Sequence, residues 1–272
     1  MKILIACDME GITGVTRWEH VSPTHAEYGR YRSLMTADVN AAIEGALAGG
    51  ADEIEVADGH SSGHNLLIEE LNSNCRLNAG NSSPWSMMNG IDSSFDGVIF
   101  VGYHAMAGTA DAILAHTWDE EVLAWCVNGE PFGEFALNAS IAGYCGVPAV
   151  MVTGDQAIAA EAQTFIPGIE TVIVKEASGY FSASCLPPEK TRELIYAGAK
   201  KAVENIKNGK APKPFKINGK VSVALTFNMP HYAESASRLP GSVRTDGKTV
   251  QIEAKNVIEA FYYGRLFTKL AF

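Results

Sequence analysis

The sequence predicts an α/β protein with a mostly parallel sheet and flanking helices, followed by a smaller C-terminal α+β part. Short apolar runs rich in β-branched residues alternate with longer helical patterns up to residue 207, and this alternation is typical of a parallel sheet. Segment 208–214 (NGKAPKP) is charged and contains two prolines, which is the composition of a linker. We therefore predict two domains, an α/β domain at 1–207 and a smaller α+β domain at 208–272.

Composition and charge exclude several classes of protein. The 272 residues are 47% hydrophobic and carry a net charge of -10, which argues against a nucleic-acid-binding surface because such surfaces have a basic stripe. The apolar runs are shorter than the about 20 residues of a membrane-spanning helix, and the first one ends at Asp8, too early for a signal peptide. Five scattered cysteines fit free thiols, so we expect a cytoplasmic protein. The glycosylation sequons at Asn81 and Asn138 have little meaning in a protein that is not secreted.

The first predicted unit is a strand, a helix and a second strand. Residues 3–7 are a short apolar run that predicts a buried strand. Residues 26–47 carry apolar side chains at helical spacing, and Gly49-Gly50 ends this helix. Residues 53–57 (EIEVA) predict the second strand. Such a βαβ unit places the ends of both strands at one edge of the sheet.

The remaining elements continue the alternation. Further strands before the linker are predicted at 76–79, 96–101, 113–117, 122–127, 149–152 and 171–174. Helices are predicted at 65–71, 132–144, 156–165 and 188–206. The dipeptide Asn128-Gly129 indicates a tight turn. Beyond the linker we predict a strand at 221–226, a hairpin within 243–252 and a helix at 257–270.

Three predicted strands are followed by side chains that can bind a metal ion. Asp8 and Glu10 follow the first strand, Asp58 and His60 the second, and His104 the strand at 96–101. Parallel strands end at one edge of a sheet, and buried carboxylates there need a cation to offset their desolvation. Oxygen and imidazole ligands suit zinc, manganese or a related ion, and one carboxylate can bridge two ions about 3.5–4 Å apart.

Each of these residues also has an ordinary structural role open to it. Asp8 and Glu10 can cap a turn, and a buried histidine can be satisfied by hydrogen bonds. Glu134 fits the first turn of a helix, where the macrodipole favours an acid, or it supplies a further oxygen ligand. The convergence of several such residues on one edge favours a metal site, because the ordinary explanations would all have to hold at once.

Three other residues have supporting or open roles. His64 lies four residues after His60, but the sequence between them lacks the glutamate of H-E-x-x-H, so we interpret His64 as a surface or supporting residue. Asp58 is better placed to support a ligand or form a turn than to bind metal. His116, where an apolar run meets a polar loop, can orient substrate, transfer a proton or attack as a nucleophile, or be an ordinary strand-end histidine.

A set of short motifs is spread over essentially the whole chain. They are Asp8-Met9-Glu10-Gly11, Asp58-Gly59-His60-Ser61, Gly102-Tyr103-His104-Ala105, Ala115-His116, Asn128-Gly129-Glu130-Pro131, Gly133-Glu134 and the strand at 147–155. As a set they resemble peptidase family M55, the zinc-dependent D-aminopeptidases of the DppA type. Cys7 and His64 depart from the family pattern, and these departures bear on substrate preference more than on metal binding.

The resemblance implies a site with two zinc ions per chain, with manganese or cobalt as substitutes. Asp8 would bridge the ions, Glu10 and His60 would complete one side, and His104 and Glu134 the other. His116 matches the catalytic histidine of the family. The resemblance also implies a homodecamer of two pentameric rings, acting on short peptides or amino-acid amides with an N-terminal D residue.

Two alternatives stay open at this point. Another di-metal amidase, or a phosphoesterase, would use the same ligands. A non-catalytic peptide-binding protein would bind peptides without forming a product. In each case the site residues lie in the first domain, 1–207, which we therefore expect to be the metal-binding domain.

Overall fold

The described residues of the computed structural model, 1–80 and 82–272, form twelve strands and six α-helices, with single 3-10 turns at Trp18–His20 and Ser86–Met88. The strands are β1 (Lys2–Cys7), β2 (Glu53–Asp58), β3 (Arg76–Asn78), β4 (Gly97–Val101), β5 (Val122–Val127), β6 (Glu130–Pro131), β7 (Ala149–Asp155), β8 (Glu170–Gly179), β9 (Ser182–Cys185), β10 (Val221–Phe227), β11 (Val243–Arg244) and β12 (Thr249–Ala254). The helices are α1 (Tyr28–Gly49), α2 (Glu134–Tyr144), α3 (Gln156–Phe165), α4 (Pro188–Lys207), α5 (Pro230–Ala236) and α6 (Val257–Ala271). Asn81, and with it the first sequon, lies outside the described residues.

The N-terminal apolar run forms a central strand of a seven-stranded sheet. The sheet order is β3-β2-β1-β4-β7-β8-β9, and every neighbouring pair is parallel except β8 with β9. Within β1, Ile3 and Ile5 pack on one face, and Leu4 and Ala6 pack on the other. A strand that is apolar on both faces is typical of a parallel sheet covered on both sides.

The order of the strands creates a crevice next to β1. The chain runs outward from β1 to β2 and β3, and then returns to β4 on the opposite side of β1. Cys7, the last residue of β1, pairs with Asp58 of β2 and Val101 of β4, so the three strands end at one level. Ligands bind at such switch points of α/β sheets, outside the carboxyl ends of the strands.

Different layers cover the two faces of the sheet. Helices α1 and α4 pack together over one face. On the other face lie α2 and a five-stranded antiparallel sheet of order β11-β12-β10-β5-β6, against which α6 packs. This second sheet takes strands from both sides of residue 208, and the division of the chain into domains at that residue stays a prediction. Within 1–80 and 82–272, no helix combines the length and apolar character needed to cross a bilayer.

Two predicted elements are wrong. Segment 65–71 forms turns instead of a helix, because Asp58 accepts hydrogen bonds from the amides of Asn65 and Leu66 and so competes with helical bonding. Segment 113–117 is a loop with one bridge at Thr117, and the φ of 51° at Leu114 is incompatible with a strand.

Besides the two-residue strand β6, which follows the predicted turn at Asn128-Gly129, two elements were not predicted. Helix α5 has only seven residues and depends on the burial of Ala233 and Ala236. Strand β9 is a polar, mostly exposed edge strand that shows no hydrophobic pattern. The other predicted elements are present with shifts at their ends, the largest at β8, which continues to Gly179 beyond the predicted end at 174.

Candidate metal centre

The crevice at the end of β1 collects the side chains that follow β1, β2 and β4. Asp8 and Glu10 are each 2% exposed, and His104 is 1% exposed. The loops after β1 and β4 are pressed together, with the Gly11 amide donating to the Gly102 carbonyl at 2.8 Å. An added Cβ on Gly11 would lie 2.0 Å from the Tyr103 carbonyl oxygen, so this approach requires glycine.

The carboxylate of Asp8 faces two separate groups of side chains. Its Oδ1 lies 3.3 Å from Nδ1 of His60, and that nitrogen lies 3.2 Å from Oε2 of Glu10. Its Oδ2 lies 3.4 Å from Nε2 of His104, and that nitrogen lies 3.4 Å from Oε1 of Glu134. Asp8 is therefore shared between a His60–Glu10 side and a His104–Glu134 side.

Backbone carbonyls fix the orientation of the imidazoles of His60 and His104. Nε2 of His60 lies 2.9 Å from the Val21 carbonyl, and Nδ1 of His104 lies 3.0 Å from the Ala105 carbonyl. A carbonyl only accepts, so in each neutral ring this nitrogen carries the proton. The other nitrogen then presents its lone pair to the carboxylates, which is how metal-binding histidines are oriented.

Three buried atoms of this cluster have no hydrogen-bond partner among the described residues. They are Oδ2 of Asp8, Oε2 of Glu10 and Nε2 of His104. Leaving charged or polar atoms buried and unpartnered is costly, and a cation at this point would satisfy them. Carboxylate oxygen and imidazole nitrogen are ligands that zinc accepts. The residues present therefore fit a metal centre.

Opposite charges set the pKa values of the buried groups. Burial raises the pKa of Asp8, but the imidazoles of His104 and His60, which face its two oxygens, outweigh burial and hold that pKa below its usual range. Burial lowers the pKa of His104, yet the nearby charges of Glu134 and Asp8 hold it well above its usual range. The cluster thus favours positive charge, which is the electrostatic requirement of a cation site.

His116 lies at the edge of this cluster and is 13% exposed on its side chain. Its ring stacks on His104 with centroids 4.0 Å apart, and its Nε2 lies 3.5 Å from Oε1 of Glu134. Its Nδ1 lies 2.8 Å from the Leu114 carbonyl. Ligand atoms of His104, His116 and Glu134 all lie within 4.8 Å of one another, as do those of Asp8, Glu10 and His104. His116 is thus placed either to act on a bound molecule or to add a ligand.

A family match covers nearly the whole chain. The family model described as D-aminopeptidase, peptidase family M55, matches residues 1–265. The chain belongs to this D-aminopeptidase family. The family predicted from the sequence motifs is therefore confirmed.

A sequence comparison and a structure comparison each match this family member to a D-aminopeptidase over its full length. A D-aminopeptidase of Bacillus subtilis (strain 168) is 35% identical over 272 residues, which is 100% of this chain and 98% of the relative. The solved structure of the Zn-dependent D-aminopeptidase DppA from Bacillus subtilis, a self-compartmentalizing protease, matches with a TM-score of 0.96. It has 35% identity and covers 100% of this chain and 98% of its own. The predicted fold class is confirmed by this match.

Two predicted supporting residues of the M55 chain lie outside the ligand cluster. His64 is exposed, as expected for a surface residue. Asp58 is buried and accepts hydrogen bonds from the Asn65 amide at 2.6 Å and from the Asn65 side chain at 2.6 Å. The Asn65 side chain in turn donates to the His60 carbonyl at 2.6 Å. Asp58 therefore forms the turn that carries His60.

Lys175 supports the centre and was missed by the sequence analysis. It is 1% exposed, and its Nζ donates to the carbonyls of Glu10, Ile12 and Val15 at 2.6, 2.9 and 2.7 Å. Burial lowers the pKa of Lys175 to about 8. The loop that carries Glu10 is thereby tied to β8. The available signal was a lysine that closes the apolar run TVIVK at 171–175.

Trp118 was missed as well. Its amide donates to Oε1 of Glu134 at 2.8 Å, so it orients that carboxylate. Its φ of 73° is unusual for a residue with a large side chain, and such strained conformations are concentrated at functional sites. Nothing in the sequence around Trp118 indicates this conformation.

A cleft of about 490 Å³ opens over the ligand cluster of this M55 chain. Asp8, Glu10, His60, His116 and Glu134 contribute to its lining. The cleft also has aromatic, acidic and basic walls, formed by Trp18 and Trp118, by Asp119, Glu120 and Glu121, and by Arg265 and Lys269. A small charged molecule can therefore reach the cluster from solvent.

Proposed function

We propose that this chain is a di-zinc aminopeptidase that removes an N-terminal D residue from short peptides or amino-acid amides. The observation that carries the proposal is the position of Asp8, whose two oxygens face two separate sets of ligand atoms. The similarity to a solved Zn-dependent D-aminopeptidase supports zinc as the metal.

We assign five residues to the two ions. Asp8 would bridge them, Glu10 and His60 would bind one, and His104 and Glu134 would bind the other. Manganese or cobalt could substitute, because both accept the same donor atoms. When bound, the ions supply Lewis acidity, which lowers the pKa of water towards about 7 and polarises a carbonyl oxygen.

We assign His116 to proton transfer. Its Nδ1 hydrogen bonds to the Leu114 carbonyl, so Nε2 carries the lone pair that faces Glu134 and the cleft. Nε2 can accept a proton from the attacking water and return it to the leaving amine, while Glu134 stabilises the imidazolium in between. Stabilisation of the tetrahedral oxyanion and direct attack are the other two roles open to this residue type.

The substitution His116→Ala tests this assignment. It should leave the zinc content unchanged and lower kcat by about 100-fold or more. Loss of one zinc ion would instead make His116 a ligand. An acyl-histidine trapped by acid quenching of the wild type would show that His116 attacks the substrate directly.

The proposed activity is tested by metal content and hydrolysis together, on protein purified without chelator. The substrates are D-alanyl-D-alanine and L-alanyl-L-alanine, with p-nitrophenyl phosphate as a third. About two zinc ions per chain with D-selective cleavage is the expected result. Cleavage of only the L-peptide would overturn the stereochemistry, and cleavage of only the phosphate ester would identify a phosphoesterase. Peptide binding with no turnover, even after addition of zinc or manganese, would identify a binding protein.

Assembly and compartment belong to the same proposal. We infer a homodecamer of two pentameric rings, supported by the similarity to a self-compartmentalizing protease with a TM-score of 0.96. Light scattering should then give a mass of about 290 kDa, from ten chains of 29.1 kDa. A 29 kDa monomer would overturn the assembly. The five cysteines are all free, which fits the reducing cytoplasm.

A further inference from the structure

One basic side chain in the cleft has neither a hydrogen bond nor an ion pair within the described residues. Arg265, on α6, lines the same cleft as the metal ligands. The hydrogen bonds and ion pairs of residues 1–80 and 82–272 include none to its guanidinium. A partly buried guanidinium without an ion pair is unusual, because burying a charge is costly unless it is paired.

Packing holds the guanidinium in position. Cζ of Arg265 lies 4.2 Å from the centroid of the Trp118 ring, a cation–π contact that holds the group against the ring. The next residue towards the N-terminus, Gly264, abuts the ring of Trp125, where an added Cβ would lie 2.0 Å from Cζ2. This close approach sets the rotation of α6 and thereby directs Arg265 into the cleft.

Trp118 also connects Arg265 to the metal centre. The Trp118 amide contacts Oε1 of Glu134, and the Trp118 ring contacts Arg265. Burial lowers the pKa of Arg265, while the charges of Asp119 and Glu134 raise it, so both acids lie near enough to act on it. Neither comes within 4.0 Å as an ion pair in the described part of the chain. The guanidinium therefore stays available to a molecule that enters the cleft.

Within a peptide substrate, the chemistry of this group favours a carboxylate. A guanidinium presents a planar fork of N–H donors that matches the two oxygens of a carboxylate. A cation–π contact with an aromatic ring uses none of these N–H donors as a hydrogen bond to a carboxylate or carbonyl. Lys269, one helical turn further along α6, is exposed and lines the same wall, so it adds positive charge there. An amide or ester in place of the carboxylate could not form the charged pair.

We propose that Arg265 binds the free C-terminal carboxylate of a short peptide whose N-terminal residue lies at the metal centre. This inference rests on the proposed aminopeptidase function and narrows it. The chain would then favour short peptides with a free C-terminus over amino-acid amides and C-terminally blocked peptides.

The test compares a carboxylate with its amide at one position. The ligands are the reduced-amide isostere of D-alanyl-D-alanine, whose CH2–NH linkage cannot be hydrolysed, and the same isostere with a C-terminal amide. Calorimetry on the zinc-loaded wild type should show about 10- to 100-fold tighter binding of the carboxylate form. Arg265→Gln should abolish this preference, and Arg265→Lys should retain part of it. Equal affinities in the wild type would overturn the inference, and that comparison needs no variant.

Hydrolysis provides a second readout. Arg265→Gln should raise KM for D-alanyl-D-alanine by about 10-fold or more while kcat and zinc content stay near those of the wild type. KM for the amidated dipeptide should hardly change. The matched control is Arg238→Gln, which removes the same charge from an exposed arginine after α5 and should change neither substrate. An equal loss on both substrates would mean that Arg265 is only structural.

The inference and the proposed function fail in different ways. If the wild type hydrolyses neither dipeptide but still prefers the carboxylate isostere, the aminopeptidase proposal falls and the carboxylate site stands. If it cleaves both dipeptides equally and binds both isosteres equally, the aminopeptidase proposal stands and the carboxylate site falls.

Discussion

Asp8 is the residue whose two oxygens have different partners, and a single substitution there affects both sides of the cluster. Asp8→Ala should remove most of both zinc ions and lower activity by about 100-fold or more, since each ion loses a ligand. His104→Ala should remove most of one ion. Metal analysis by mass spectrometry measures both effects.

His64→Ala is the control for the substitutions Asp8→Ala and His104→Ala. It is a histidine of the same region, four residues after His60, but it is exposed. His64→Ala should keep the zinc content and the activity of the wild type. Full activity in Asp8→Ala, or zinc loss in His64→Ala, would show that the ligands are assigned to the wrong residues.

Asp38 allows a pH prediction away from the ligands. It is 2% exposed, accepts hydrogen bonds from the amide and hydroxyl of Thr13, and burial raises its pKa from 3.8 to about 6. Between pH 3.8 and about 6, Asp38 is mostly protonated in the folded chain and mostly ionised in the unfolded chain. The stability contributed by Asp38 therefore falls as the pH rises through this range. Relative to Asp38→Asn, the free energy of unfolding of the wild type should fall by roughly 2 to 3 kcal/mol from pH 4 to pH 7.

Urea unfolding at several pH values, with chelator present throughout, measures this difference. The chelator keeps the ligand cluster free of metal in both proteins. The titration of the cluster then contributes equally to both free energies of unfolding and cancels in their difference. Parallel stability curves for the wild type and Asp38→Asn would contradict the assignment.

Helix α6 depends on one glycine for its close packing. Gly264 leaves no room for a Cβ against the Trp125 ring, so Gly264→Ala must displace the helix or the ring. Overpacking of this kind should lower the free energy of unfolding by about 1–3 kcal/mol, and a shift of α6 should also weaken the carboxylate preference. Thermal unfolding and isostere binding measure the two effects.

Gly247 is the matched control for that substitution. A Cβ added there meets no described atom within 4 Å, and its backbone is outside the left-handed region. Gly247→Ala should therefore change stability by less than about 0.5 kcal/mol. A loss at Gly247 as large as that at Gly264 would rule out packing against Trp125 as the cause.

The elements that end at the crevice could be predicted because parallel strands buried on both faces read as continuous apolar runs. Asp8, His60 and His104 follow such runs directly. The course of 111–118 could not be predicted, since it is set by distant partners. The Ile113 amide donates to Asp155 and the Leu114 amide to the Tyr180 carbonyl.

The supporting residues were missed for the same reason. Lys175 reaches the loop after β1 from β8, and Arg265 reaches the cleft from α6. No periodicity connects positions so far apart in the chain. The ligand motifs are local, whereas the groups that position them are contributed by tertiary structure.

For the whole molecule, metal removal should lower stability. An ion that binds only the folded chain, present at 100 times its Kd, adds about 2.7 kcal/mol to the free energy of unfolding. Chelation should therefore lower the Tm by about 5–10 °C, and added zinc should restore it. Asp8→Ala should show little response to zinc. A wild-type Tm that does not change with chelator would contradict a zinc centre built from these residues.

The position of Trp118 has a consequence for protein engineering. Its amide orients Glu134, a proposed metal ligand, and its ring contacts Arg265 in the wall of the same cleft. Directed evolution towards blocked peptides that remodels this tryptophan would alter zinc affinity in the same step. Variants that prefer a different peptide C-terminus should therefore be sought by substituting Arg265 and Lys269, whose replacement need not disturb the proposed metal ligands.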